Sequence, residues 1–541
     1  MKKFTRREIL KTTIPGTLAA FAIPTIIPAS AFGSNDKIRA AVIGINSRGK
    51  DHISGFMNLP NVEIATLCDV DNMVLQARAK EFETKYNQKV KTEIDLRKVY
   101  EDKSIDVVSI ATPNHWHALA AIWACQAGKD VYVEKPACHN IFEGRKLVEA
   151  ATKYNKIVQH GVQLRSSVAI QEAIQHLRNG LIGKVYMAKG IVYKWRPDIG
   201  NLGNSAVPEG LDWNLWQGPA QEKAFSKNYV HYNWHWFWDY GNGDIGNQGI
   251  HETDLAMWGL DVGLPDTISS SGGKYLWNDC KETPEYLNSS YQYTKEGKIL
   301  QFEVRPWMTN KEDGVEIGNI FYGDKGYMVI NGYNDYKTFL GKEREPGPAK
   351  RAGGDHYKNF IDAVRAQDKK LLNGPVETAH LAASLAHLGN ISYRLGRTLK
   401  FDAKTEKFVG DSKANEMLSR KYRAPFVVPD KVKIMTVSLH NLFKISILCT
   451  LLACDCVVTA YGVVKDETTG KPMEGVLVKN LLYSEFGTKT KVDGEFSKIE
   501  IGREKGKCLE FNLEFSKDGY FSDTLFINNP QHQTIYLKQK K

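Results

Sequence analysis

The sequence predicts an α/β protein: a doubly wound parallel sheet first, then a second domain containing antiparallel hairpins, then a small all-β segment at the C-terminal end. Three observations carry this. The run "IRAAVI" is apolar throughout its last four residues and leads directly into Gly44, Asn46 and Gly49, the pattern of a buried parallel strand entering a tight turn and a helix. Further on, "NSSYQYTKEGKILQFEVRP" alternates around a Glu296-Gly297 turn, and "IGNIFYGDKGYMVI" does so around residues 324–326. Past residue 456 short alternating strands return, with a turn at Asp493-Gly494.

A chain of 541 residues exceeds a single hydrophobic core and implies about three domains. Hydrophobic residues at 42% and charged residues at 25% exclude a disordered chain. The net charge of +10 is spread over scattered Lys and Arg, with no basic block of the kind that binds nucleic acid. Eight Cys lack paired zinc spacing, so neither a disulfide framework nor a structural zinc site is indicated. At the start, Arg6 and Arg7 precede an apolar, small-residue stretch broken by Pro15, Pro24 and Pro28. About 20 unbroken apolar residues are needed to span a bilayer, so residues 1–31 are expected to be a twin-arginine leader cleaved after Ala31. That route carries proteins folded around a cofactor, which gives an expectation of an exported, periplasmic cofactor protein.

The first strand and turn supply the cofactor site. Gly44 permits the tight turn, Gly49 lets helix and strand approach, and the helix N-terminus offers free N–H groups to a pyrophosphate. Asn46, which tolerates left-handed backbone, stands at the middle glycine position; Ser47 and Arg48 complete the candidate turn. A second strand, "VEIATLCDVD", ends at Asp69, roughly 20 residues beyond Gly49 and placed to accept ribose hydroxyls. This is a Rossmann-type nucleotide domain, expected over residues 37–160. Asp69 repels a 2′-phosphate and Val70 and Asp71 follow it rather than Arg, so NAD is favoured over NADP. Two more strands break into polar loops, "ATPNHWH" and "VEKPACHN", which add Thr112, Pro113, Asn114, His117, Glu134 and Lys135 as cofactor-site candidates.

These stretches, together with "GLDWNLWQGP", "GNQGIHETD" and "HYKNFIDAVR", resemble the Gfo/Idh/MocA oxidoreductases over roughly residues 37–430. The resemblance implies that residues 161–430 form an α+β domain whose open, mainly antiparallel sheet carries the substrate site. It also implies hydride transfer involving a sugar or glycoside hydroxyl, with Lys135 beside nicotinamide and substrate. Lys135 at a strand mouth polarises a hydroxyl oxygen, and partial burial brings its pKa toward the working range. His251 suits proton exchange. A helical reading places Asp244, Asn247 and His251 on one face. Asn247 stands where related dehydrogenases commonly have Asp, and an amide takes no proton, so Asp244 is the expected substitute. Tyr193, Trp236 and Asp254 are substrate-site candidates, Trp236 from "HYNWHWFWDY", where tryptophans at strand-like alternation offer faces to a pyranose ring. His231 with His235, and His115 with His117, lack a third ligand, so no metal is expected.

Leader and nucleotide domain also resemble NAD-dependent α-N-acetylgalactosaminidases. An exported enzyme has no soluble NAD pool, so two outcomes stay open: an oxidoreductase passing electrons onward, or a redox-neutral glycosidase with tightly held NAD. A non-enzymatic carbohydrate- or nucleotide-binding protein is the third alternative, disfavoured by Lys135 and His251. Residues 435–456 resemble a second leader with a lipoprotein cleavage box, and residues 457–541 a carboxypeptidase regulatory-like β-sandwich. Lipid anchoring follows only if that tail is made separately from Met435, as joined reading frames would allow. The expected partners are a sugar or glycoside and, through the second-domain sheet, further copies of the chain.

Overall fold

The computed structural model describes residues 37–307, 310–432, 456–480, 488–493, 495–504, 507–508, 511–527 and 532–540. The expected twin-arginine leader, and all but the last residue of the second leader-like segment, lie outside the described residues. The chain divides into two compact units, Met1–Ile434 and Met435–Lys541.

In the first unit, strands β1 (Ile38–Ile43), β2 (Val62–Cys68), β3 (Lys91–Glu93), β4 (Val107–Ile110), β5 (Asp130–Val133) and β6 (Val158–His160) form a parallel sheet in the order β3-β2-β1-β4-β5-β6. Helices cover both faces, which is why β1, β4 and β5 are buried along nearly their whole length without alternation. Strand order reverses between β1 and β4, opening a crevice at their carboxyl ends.

The second sheet has ten strands: β7 (Val185–Tyr193), β8 (Thr267–Gly273), β9 (Tyr286–Tyr293), β10 (Lys298–Arg305), β11 (Ile317–Gly323), β12 (Gly326–Asn331), β13 (Asp335–Leu340), β14 (Glu345–Arg351), β15 (Leu399–Asp402) and β16 (Lys407–Phe408). Their order is β14-β13-β12-β11-β7-β10-β9-β8-β15-β16, and only the β7–β10 pair is parallel. Helix Gly249–Leu260 lies across β7, β10 and β11, and small residues permit the approach: a Cβ on Gly259 would stand 2.1 Å from the Phe321 ring.

Two helices late in the sequence return to the first domain. Helix His356–Ala366 inserts Phe360 and Val364 into the core around Phe56 and Tyr132, with Tyr357 stacked on Tyr132 at 5.1 Å. Helix Val376–Leu395 spans from β8 to helix Ile141–Lys153. The two domains of this unit are thereby packed into one body.

Among the described residues the second unit holds two four-stranded sheets, formed by β17 (Cys456–Asp466), β18 (Leu477–Asn480), β19 (Thr488–Lys489), β20 (Glu495–Glu504), β21 (Lys507–Cys508), β22 (Phe511–Ser516), β23 (Asp523–Ile527) and β24 (His532–Leu537), in the orders β21-β20-β17-β24 and β19-β18-β22-β23. Val464, Val478, Leu513, Phe515 and Ile535 are among the side chains that form its core.

Candidate active site

The crevice at the β1/β4 reversal is a cavity of about 250 Å³. Its floor is the turn after β1. Gly44 adopts φ 81°, and a Cβ there would stand 2.7 Å from the Ala111 and Thr112 main chain. Only glycine leaves this cradle open. Asp69 ends β2 and ties the turn down, its carboxylate accepting from Ile45 N (2.9 Å) and Asp71 N (3.1 Å). Burial raises the Asp69 pKa, partly offset by those two backbone N–H groups and nearby His231. Thr112 Oγ1 is buried with no partner among the described residues, a free hydroxyl on the cavity wall. Turn, terminal acid and free hydroxyl fit a dinucleotide, with the pyrophosphate over Gly44 to Gly49 and a ribose at Asp69.

Glu134 is the hub beneath the site. It accepts from Arg48 Nε (3.0 Å) and Gln163 Nε2 (3.1 Å), lies 3.0 Å from His52 Nε2, and accepts from Lys135 N at 3.2 Å. Burial opposes its charge, but Arg48, His52 and Lys135 outweigh that and hold it well below the usual carboxylate range. Arg48 also pairs with Asp51 at 2.8 Å. Asn114 and Pro113 begin the helix after β4. His117, at the cavity, has ring nitrogens 2.6 Å from Pro136 O and 2.7 Å from Thr112 O, so it clamps one polar loop to the other.

Lys135 Nζ donates to Asn247 O (2.9 Å) and Asn247 Oδ1 (3.1 Å). Burial lowers its pKa below the ordinary lysine value, opposed by Glu134 and aided by Arg48. The continuous helical face expected for Asp244, Asn247 and His251 is corrected here. Short helix Gly243–Gly246 ends, Asn247 breaks the path at φ −91°, ψ −92°, and a new helix starts at Gly249. That break turns both Asn247 oxygens toward Lys135. Asp244 is no substitute base: its carboxylate is buried and held by Arg196 through two bonds of 2.7 and 2.6 Å.

His251 is buried, its Nδ1 has no partner among the described residues, and its ring lies 4.8 Å from Tyr333. Burial and then Lys135 hold it well below the usual histidine pKa, so it is neutral. Its neighbour Glu252 was not singled out from sequence. Burial pushes the Glu252 carboxyl up to about 8, Gln248 donates to Oε1 at 3.2 Å, and Oε2 is unpartnered among the described residues. His160, at the end of β6, likewise has no partner on either ring nitrogen among the described residues, and burial lowers its pKa to about 3. Its position at a strand's carboxyl end was the available signal.

Three substrate candidates face elsewhere. Asp254, fully buried, is bound by Arg165 through bonds of 2.7 and 2.8 Å. Tyr193 lies on the sheet face opposite helix Gly249–Leu260, bonded to Glu303 and Glu312 at 3.1 Å. Trp236 packs beneath Arg196, and the strand-like reading of residues 231–240 gives way to a 3-10 turn, Asn233–Trp236, that points Trp234 rather than Trp236 into the cavity wall. Of the histidine pairs, His115 lies 2.9 Å from Trp216 O, His231 3.2 Å from Asp71, and His235 2.5 Å from Tyr232 O. No group of three metal-type ligands occurs among the described residues.

A switch-point crevice with a phosphate turn, a terminal acid and a lysine at its inner end defines the dinucleotide-dependent oxidoreductases. The chain belongs to the Gfo/Idh/MocA oxidoreductase family: residues 38–162 match its NAD-binding Rossmann fold, and residues 167–269 with 333–428 match its C-terminal alpha/beta domain. A glycosyl hydrolase family 109 protein of Saccharopolyspora erythraea is 26% identical over 367 residues, 60% of this chain and 74% of that protein. One from Shewanella pealeana is 29% identical over 208 residues, 34% of this chain and 44%, less than half, of that protein. Among solved structures, the Bordetella pertussis WlbA dehydrogenase in complex with NADH and UDP-GlcNAcA has a TM-score of 0.52 at 20% identity, covering 68% of this chain and 99% of that one. A levoglucosan dehydrogenase in complex with NADH and levoglucosan has a TM-score of 0.52 at 17% identity, with the same coverage of 68% and 99%. These structural likenesses show the shared fold.

Proposed function

We propose that this protein is an NAD-dependent enzyme acting on a sugar or glycoside hydroxyl, and the observation that carries the reading is Lys135 held by Asn247 at the inner end of the dinucleotide cavity. Bound NAD supplies the hydride acceptor. The chain's own groups do the rest. The Gly44 turn and the first N–H groups of helix Gly49–Met57 hold the pyrophosphate, and Asp69 meets a ribose. Lys135, with its ammonium destabilised by burial, takes the hydroxyl proton. Neutral His251 accepts a hydrogen bond from the substrate and fixes its orientation, while the Asn247 amide positions without exchanging a proton.

A redox-neutral glycosidase is the second reading, favoured by relatives named glycosyl hydrolase family 109 proteins. Oxidation, elimination, hydration and reduction in one site return the cofactor to its starting state, which suits the exported, periplasmic location that the leader at residues 1–31 supports. Both readings are tested on the purified chain from residue 32 to about residue 430. Denaturation followed by NAD assay, with a panel of nitrophenyl glycosides and no added cofactor, separates them. Stoichiometric NAD with nitrophenol release supports the glycosidase. Activity only when NAD is supplied supports a dehydrogenase, and no NAD binding under any condition rejects both.

A further inference from the structure

We propose that residues 210–240 of the second domain form a strap that retains the dinucleotide, with His231, Tyr232 and Trp234 as the outer wall over its ribose end. The inference rests on the assignment of the cavity to NAD and goes beyond it in naming what governs release. These three side chains, with Trp216, line the cavity opposite Asp69 and Val70, although they come from the other domain. The strap is fastened at both sides. Asn72 N donates to Gly210 O and Asp212 N to Val70 O, both at 2.9 Å, flanking a backbone bridge between Asp71 and Leu211. Asp71 also caps helix Asn72–Tyr86 and lies 3.2 Å from His231 Nε2, so one carboxylate joins the ribose-side helix to the strap. On the far side Tyr232 OH accepts from Arg196 at 3.0 Å, and Arg196 is anchored by Asp244. Beneath, Trp116 Nε1 donates to Leu215 O and Trp216 O, and Trp213, Trp216 and Tyr229 stack into a stiff aromatic layer.

Leaving the crevice therefore requires the dinucleotide to lift a segment held by backbone and side-chain contacts on both sides, and preorganised enclosure of this kind slows dissociation far more than association. The His231 side chain is 38% exposed and Tyr232 as a residue 48%, so both can be truncated without emptying a core. The test uses full-length protein loaded with radiolabelled NAD and chased with excess unlabelled NAD. His231→Ala/Tyr232→Ala is expected to exchange NAD at least ten-fold faster than the unmodified chain, with the melting temperature of the NAD-free protein unchanged. Asp71→Asn keeps a capping side chain but removes the carboxylate that faces His231 Nε2, and is expected to accelerate exchange by a smaller factor. Equal exchange rates in all three proteins overturn the strap and leave the NAD assignment standing. Absence of any bound label in the unmodified chain overturns both.

Discussion

Lys135 and Asn247 meet across the two domains, the Lys135 ammonium donating to the Asn247 main-chain oxygen at 2.9 Å and to its side-chain oxygen at 3.1 Å. A strand of the nucleotide domain thus presents its lysine to a helix break in the substrate domain. Replacing Lys135 with Ala is expected to lower kcat at least about 100-fold, the range typical of a lost acid–base group. NAD content per chain, measured after denaturation, should be unchanged; unaltered kcat would remove Lys135 from the chemistry.

Gly44→Ala attacks the cofactor rather than the chemistry. The new Cβ would meet the Ala111 and Thr112 backbone at 2.7 Å, on a residue already at φ 81°. NAD stoichiometry is expected to fall to near zero while circular dichroism retains the native spectrum.

Breaking the Arg165–Asp254 pair tests a structural role. Truncating one partner of a buried pair costs about 3–5 kcal/mol, so Asp254→Ala should lower the urea midpoint strongly. The KM for sugar substrate of the remaining folded protein should not move; a selective rise in KM without loss of stability would restore Asp254 as a substrate ligand.

Glu252 gives the chain a pH signature. Its carboxyl titrates at about 8 in the fold and near 4.3 when unfolded, so between those values the native state binds the extra proton. Stability from this group is fully present below about pH 4.3 and is lost as pH rises toward 8. Glu252→Gln removes the dependence, and above pH 8 it should exceed the unmodified chain by on the order of a few kcal/mol. Denaturant titrations across that range, showing parallel curves for both proteins, would refute the assignment.

We propose that the Tyr193 face of the second-domain sheet pairs with another copy of the chain. Ile191, Tyr193, Val315 and Ile320 form a separate cluster there, ringed by Lys189, Glu303 and Arg305. Light scattering is expected to give at least twice the mass of one chain, and a monomeric mass would reject this use of the face.

The nucleotide site was legible because its chemistry demands residue types that few other structures need: glycine at a positive φ, an acid at a strand end, a lysine before a proline. Periodicity misled where two patterns coincide. Spacings of three and four residues made 244–251 read as one helix, yet Asn247 interrupts it to reach Lys135. Tryptophans two apart imitated a strand in a segment that turns. Glu252 carried no local signal, since a helix neighbour of His251 points about 100° away. The cavity's outer wall was hidden for a different reason: it joins Asp71 to His231, and no single-sequence pattern reports pairing over such a separation.

Helix His356–Ala366 completes a core that begins at β1, and this has a consequence for biosynthesis. When the last nucleotide-domain strand leaves the ribosome, the places of Tyr357, Phe360 and Val364 are still empty. At about 5–20 residues per second, the ~200 residues still to be made leave Phe56 and Tyr132 uncovered for on the order of 10–40 s. During that interval the nascent chain exposes aromatic surface to chaperones. A message truncated before this helix should therefore yield aggregates rather than a free nucleotide domain.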